Sequence, residues 1–136
     1  MPTPALCTDN EIVNLVYSFY AKVRCDEVLG PIFDAHISDW DHHLGKMVDF
    51  WSSILRGTGR YHGTPMPKHV VLPELNAALF QRWLGLFRDT TRAIGNEAMG
   101  RHADAMAQRI AQSLWYGYQL HKDPHASPSG LALNPS

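Results

Sequence analysis

Apolar residues recur at helical spacing along most of the chain, and no stretch alternates apolar and polar positions as a half-buried strand would. Ile12, Leu15, Val16, Phe19, Tyr20 and Val23 form the first such run. Thr8, with Glu11 three residues later, precedes it as a capping box, so a helix should start there and end around Arg24 to Asp26. Leu29-Gly30-Pro31 reads as a break, with Ile32 and Phe33 tucked just after it. Ser38 or Asp39 can cap a second long helix, on which Trp40, His43, Leu44, Met47, Phe50, Trp51, Ile54 and Leu55 share one face. Gly57 to Pro67 holds three glycines and two prolines and predicts an irregular loop. Pro73 suits the first turn of a further helix, whose buried side carries Leu75, Leu79, Trp83, Leu86, Phe87 and Thr90. Gly95-Asn96 is a turn. A last helix buries Met99, His102, Met106, Ile110, Ser113, Leu114 and Gly117. After Asp123 the run Pro124-His125-Ala126-Ser127-Pro128-Ser129-Gly130 has the composition of a flexible tail. The expectation is one all-α domain over residues 1–123, with a flexible C-terminal tail over residues 124–136.

Length and charge narrow the function classes. A chain of 136 residues fits one domain with its own core. Its net charge of −1 leaves no basic stripe to follow a phosphate backbone, which argues against nucleic acid. No apolar run reaches membrane-spanning length, and the first ten residues lack the basic-then-apolar pattern of a secretory leader. Cys7 and Cys25 form neither a CxxC nor the CxxCH that attaches haem covalently. Two reduced thiols and a cytoplasmic location are therefore expected. HExxH, zinc-finger spacing, GxGxxG, P-loop and GxSxG patterns are all absent.

Eight histidines in so short a chain make a metal or cofactor site worth testing. His69 lies in Lys68-His69-Val70-Val71-Leu72-Pro73, a stiff segment against apolar residues. Such a histidine can bind a metal through one ring nitrogen, as a haem iron takes its proximal ligand, or it can be an ordinary surface residue. His43 sits on the apolar stripe one turn before Met47, whereas His42 is rotated about 100° towards solvent. On this pattern His43 is either a pocket residue or a half-buried core histidine. Tyr20 and Trp83 each combine an apolar body with one donor, whose partner is either backbone or a polar guest in a pocket.

These residues, in their order, resemble the group III truncated haemoglobins. The resemblance runs through Phe19-Tyr20-Ala21-Lys22-Val23-Arg24, Leu29-Gly30-Pro31-Ile32-Phe33 and Trp40-Asp41-His42-His43 leading to Phe50-Trp51. It continues through Lys68-His69, Leu72-Pro73 and Phe80-Gln81-Arg82-Trp83-Leu84-Gly85-Leu86-Phe87, covering roughly Glu11 to Lys122. The chain has no Gly-Gly pair, which fits group III, since groups I and II tend to carry glycine-pair motifs. The resemblance implies a two-over-two helical sandwich around one non-covalent haem b. It puts His69 at the proximal iron-ligand position. Tyr20 and Trp83 fall at the tyrosine and tryptophan of the distal pocket, and His43 at the distal-helix histidine, a third donor or a gate. Phe33, Met47, Phe50 and Trp51 become haem contacts, and Lys46 a partner for a propionate or simply a solvated lysine. The implied ligands are O2, NO, CO or similar small molecules. The implied activity is O2/NO redox chemistry, such as nitric oxide dioxygenation or a peroxidase-like reaction, with an unidentified reductase. Non-enzymatic O2 binding, transport, scavenging or ligand sensing is the alternative.

Overall fold

A computed structural model describes residues 6–59, 76–125, 127, 128, 130 and 131. Among these, every regular element is a helix. The order is α1 (Asp9–Cys25), α2 (Leu29–His36), α3 (Trp40–Arg56), α4 (Ala77–Ile94) and α5 (Glu97–Lys122). Helix α1 packs against α2, α3 and α4, and α4 packs along α5. This is consistent with two helices laid over two.

Local chemistry sets most of the helix ends. The Thr8 hydroxyl accepts the Glu11 N–H at 3.1 Å, and the Glu11 carboxylate accepts the Thr8 N–H at 2.9 Å. Both halves of the expected capping box are thus made. At the start of α3, Asp39 rather than Ser38 is the cap, accepting from the His42 N–H at 3.1 Å. Gly57 closes that helix at φ 68°, a left-handed conformation that suits a residue without a Cβ. Gly95, at φ 84°, does the same for α4, and Asn96 then caps α5 through the Met99 N–H.

Three readings of the pattern need correction. Leu29-Gly30-Pro31 is not a break but the first turn of α2. Asp26 accepts the Val28 and Leu29 N–H groups at 3.1 and 2.8 Å, and Pro31 sits where a missing N–H costs nothing. Gly30 is required there by space, since a Cβ would stand 2.7 Å from the Arg24 carbonyl oxygen. Helix α4 begins at Ala77 rather than at Pro73. Asn76 is extended and its side chain accepts the Leu79 N–H at 3.0 Å, which makes it the cap. Pro73, Leu75, most of the Gly/Pro loop and His69 lie outside the described residues. Finally, the buried face of α5 is Met99, Gly100, Ala103, Ala107, Ala111, Leu114 and Tyr118. His102, Met106, Ile110 and Gly117 are only half-buried and Ser113 is exposed. A seam of alanines lets α5 approach closely, so the bulkier residues flank the contact instead of making it.

Long-range polar ties lock this packing. Arg82 on α4 donates to both carboxylate oxygens of Asp26, at 3.0 and 2.8 Å. Asn96 donates to the Leu6 carbonyl at 3.0 Å, holding the chain ahead of α1 against the start of α5. Arg56 pairs with Asp9 across α3 and α1. Beyond α5, Leu131 is buried against Phe80, Ala111 and Leu114.

Asp26 gives this packing an acid dependence. The Arg82 guanidinium, with help from the Val28 and Leu29 N–H groups, holds its carboxyl down at about 2, from an ordinary 3.8. A depressed carboxylate contributes stability that is complete above the unfolded value and is lost as pH falls towards the folded one. Asp26→Asn should therefore melt several degrees below the parent at pH 7, and the gap should close between about pH 4 and pH 2. Thermal melts across that range check this. A constant gap would mean that the carboxylate charge contributes nothing.

Candidate functional site

All five described helices contribute walls to one largely apolar cavity with about 70 Å³ of free space. Helix α2 supplies Leu29, Ile32 and Phe33, and α3 supplies Met47, Phe50 and Trp51. Helix α4 supplies Leu79, Phe80 and Trp83, and α5 supplies Ile110, Ala111 and Leu114. Tyr20 completes the lining from α1. Among the named lining residues the Tyr20 hydroxyl and the two indole N–H groups, of Trp51 and Trp83, are the side-chain polar atoms, apart from the soft sulfur of Met47.

Tyr20 is fixed by rings on all sides. It meets Phe19 edge-on at 5.0 Å, Phe33 at 6.2 Å, Trp40 at 5.9 Å and His43 at 5.0 Å. Aromatic pairs of this geometry are worth about 0.5–1.5 kcal/mol each beyond burial. At 6% exposure, the phenol is pushed by burial well above its ordinary value, so it stays protonated and able to donate. Trp83 meets Phe19 at 5.2 Å and stacks on Phe87 at 5.7 Å. Phe87 in turn stacks on Trp51 at 4.9 Å. The Arg82–Asp26 pair next to Trp83 fixes the pitch of α4 against the start of α2.

His43 is half-buried and does not line the cavity. Its ring stands edge-on to Tyr20 and, at 5.7 Å, to Trp40. Trp40 is itself held by its indole N–H on Asp34, at 3.1 Å, and by Arg24 above its ring, at 4.4 Å. His42, one residue earlier, is exposed.

The structure thus brings Tyr20, Phe33, Met47, Phe50, Trp51 and Trp83 together on one cavity and puts His43 directly behind Tyr20. It does not bring Lys46 there. Lys46 is exposed on the other side of α3, beside Val13 and Tyr17. One helical step of about 100° separates it from Met47, which faces the cavity. His69 lies outside the described residues. The pattern reading missed Leu29, Ile32, Leu79, Phe80, Ile110, Ala111 and Leu114 as lining. In the sequence these are ordinary apolar positions, and nothing local distinguishes an apolar residue facing a cavity from one facing another helix. Among the described residues, no three His, Cys, Asp or Glu side chains gather to hold a bare metal ion.

Comparison with known proteins gives this arrangement its family. The model of the family described as "Bacterial-like globin" matches residues 5–114. The chain is 38% identical over 117 residues to "Group 3 truncated hemoglobin ctb" of Campylobacter jejuni, covering 81% of this chain and 92% of that protein. The crystal structure of a group III truncated hemoglobin from Campylobacter jejuni is similar with a TM-score of 0.72 at 37% identity, covering 79% of this chain and 88% of that one. At this identity and coverage the chain belongs to the bacterial-like globins and, within them, to the group III truncated haemoglobins.

Proposed function

We propose that this globin holds a non-covalent haem b with His69 as its proximal iron ligand and binds O2 beside Tyr20 and Trp83. As a globin it is a haem protein that takes small gaseous ligands such as O2. The observation that carries the finer reading is that Tyr20 and Trp83, two of the three side-chain donors among the lining residues, share one largely apolar cavity. The residues present fit the cofactor. Phe33, Phe50 and Trp51 offer apolar faces to a flat macrocycle, with Met47 as an adaptable filler between them. His69 is proposed from its stiff, apolar-flanked segment and from the family resemblance. It lies 26 positions after His43, enough chain to pass from α3 around the edge of a flat guest.

Haem supplies reversible ligand binding at iron and one-electron chemistry. The chain's own residues shape the polarity around that ligand. Tyr20 remains a protonated donor because burial disfavours its phenolate. Trp83 can only donate. Apolar walls exclude water, and donors act more strongly on a polarised ligand in such a site. His43 packs against the Tyr20 ring and helps hold it in place.

Strong donors slow ligand release, which favours chemistry over delivery. The reaction proposed is nitric oxide oxidation, NO + O2 + e⁻ → NO3⁻, with the electron returned by a reductase. CO would compete at the same position. A reducing, cytoplasmic setting suits the free thiols of buried Cys7 and exposed Cys25. Among the described residues no helix is long and apolar enough to cross a membrane.

Visible spectra of the parent and His69→Ala, in ferric, ferrous and CO-bound forms, test the ligand. The parent should show a Soret band that shifts with CO, and His69→Ala should lose or reshape it. An unchanged variant would remove His69 from the iron. Stopped-flow release tests the donors: Tyr20→Phe with Trp83→Phe should release O2 faster by about tenfold or more per donor lost. A double variant with the parental rate would reject both roles. Mixing the oxygenated protein with nitric oxide should give nitrate and ferric protein, and a reductant should restore turnover. If no nitrate forms, O2 binding, carriage or sensing replaces the enzymatic reading.

A further inference from the structure

After α5 ends the chain comes back against that helix, and Leu131 is only 8% exposed. Its backbone N–H donates to the Gln112 side-chain oxygen at 2.8 Å. The other end of that amide donates to the Tyr116 hydroxyl at 3.4 Å, so Gln112 is held from both sides. Gly130 lies directly on the same pair. A Cβ there would come within 2.7 Å of the Gln112 amide nitrogen and 3.0 Å of the Tyr116 oxygen. The Leu131 side chain packs with Phe80, Ala111 and Leu114. Those same three residues line the cavity. Leu131 itself is not among the lining residues.

From this juxtaposition we infer that Gly130 and Leu131, anchored on Gln112, form a strap that braces the Phe80–Leu114 wall and so controls how tightly the cavity retains its haem. The inference rests on haem occupying that cavity. With Leu131 in place, the wall has packed atoms on both sides and gives little when the guest moves. Without it, Phe80 and Leu114 gain a void behind them, and the wall yields into it. The hydrogen bond to Gln112 sets where the leucine lands, and the leucine itself does the bracing. Leu131 is thus a positioning residue and touches no ligand.

The test uses the full-length holoprotein as parent, Leu131→Ala, Leu131→Met and Gln112→Ala. Each is mixed with excess apomyoglobin, and haem transfer is followed in the Soret region. Amide exchange at Leu131 is measured by NMR on the same proteins and on their haem-free forms. Leu131→Ala should lose haem about tenfold faster than the parent. Gln112→Ala should show a smaller acceleration, and Leu131→Met, which keeps the volume, should stay near the parental rate. The Leu131 amide should be protected in the parent and should lose that protection in Gln112→Ala. Parental haem loss in Leu131→Ala would overturn the strap while leaving the haem reading intact. An unprotected Leu131 amide in the parent would overturn it as well, because the anchor would not be seated. A parent that takes up no haem at all would overturn the haem reading, and the strap's role with it.

Discussion

Phe19 touches three aromatic rings at once. Its neighbour Tyr20 stands edge-on at 5.0 Å, Trp83 at 5.2 Å and Phe87 at 5.1 Å. At 2% exposure it has no freedom to move away. These contacts fix α1 against α4, and they do so between two of the cavity's donors, Tyr20 and Trp83. Tyr20 on α1 and Trp83 on α4 share a wall because Phe19 holds their helices in register. Trp51 joins from α3 through Phe87, so three of the five helices meet in one cluster of rings. Densely packed rings resist small displacements, since every shift that relieves one contact compresses another.

A rigid cluster on one side lets the other side remain open. Along α5 the buried seam is made of Ala103, Ala107 and Ala111, with Leu114 and Tyr118 beyond. Small residues bring α5 close to α4 in its first half. Lower down, Phe80 and Trp83 on α4 hold the helices around a space instead of filling it. Two threonines buried along this contact find partners. Thr90 donates to the Leu86 carbonyl at 2.8 Å, and Thr91 reaches Asp104 at 3.0 Å. Burial pushes the Asp104 carboxyl up, and the Thr91 hydroxyl partly offsets that cost. The cavity is therefore a feature of how the helices are spaced, with the Arg82–Asp26 pair keeping α4 and the start of α2 together at its rim.

Function follows from a contrast in chemistry. Almost every group on the cavity wall is apolar, so its few N–H and O–H groups meet little competition from water. Tyr20 is held as a neutral phenol by the same burial that fixes its ring. A globin pocket of this kind gains selectivity from where its donors stand and retention from how firmly its walls are backed. The first depends on α1 and α4. The walls include Phe80, Ala111 and Leu114, on which Leu131, remote in sequence, packs.

The all-helical class, the approximate extents of α1, α3 and α5, and the caps of α1 and α3 were legible in the chain itself. Each of these depends on contacts within about four residues: Thr8 with Glu11, Asp39 with His42, Gly57 at a helix end. Tyr20, Phe33, Met47, Phe50, Trp51 and Trp83 were legible as one group because their helical phase and their order in the chain carry the family resemblance. Other features depended on distance in space. Pro31 reads locally as a break but sits in the first turn of α2, where Asp26, itself held by Arg82 56 residues away, accepts the Leu29 N–H. Lys46 and Met47 are adjacent in sequence but about 100° apart around α3, and only the position of the neighbouring helices decides which one meets the cavity. Nothing in the sequence marks Phe80, Ala111 and Leu114 as cavity wall rather than core, or Leu131 as their backing. Helix periodicity states which face is apolar, while packing between helices decides what that face encloses.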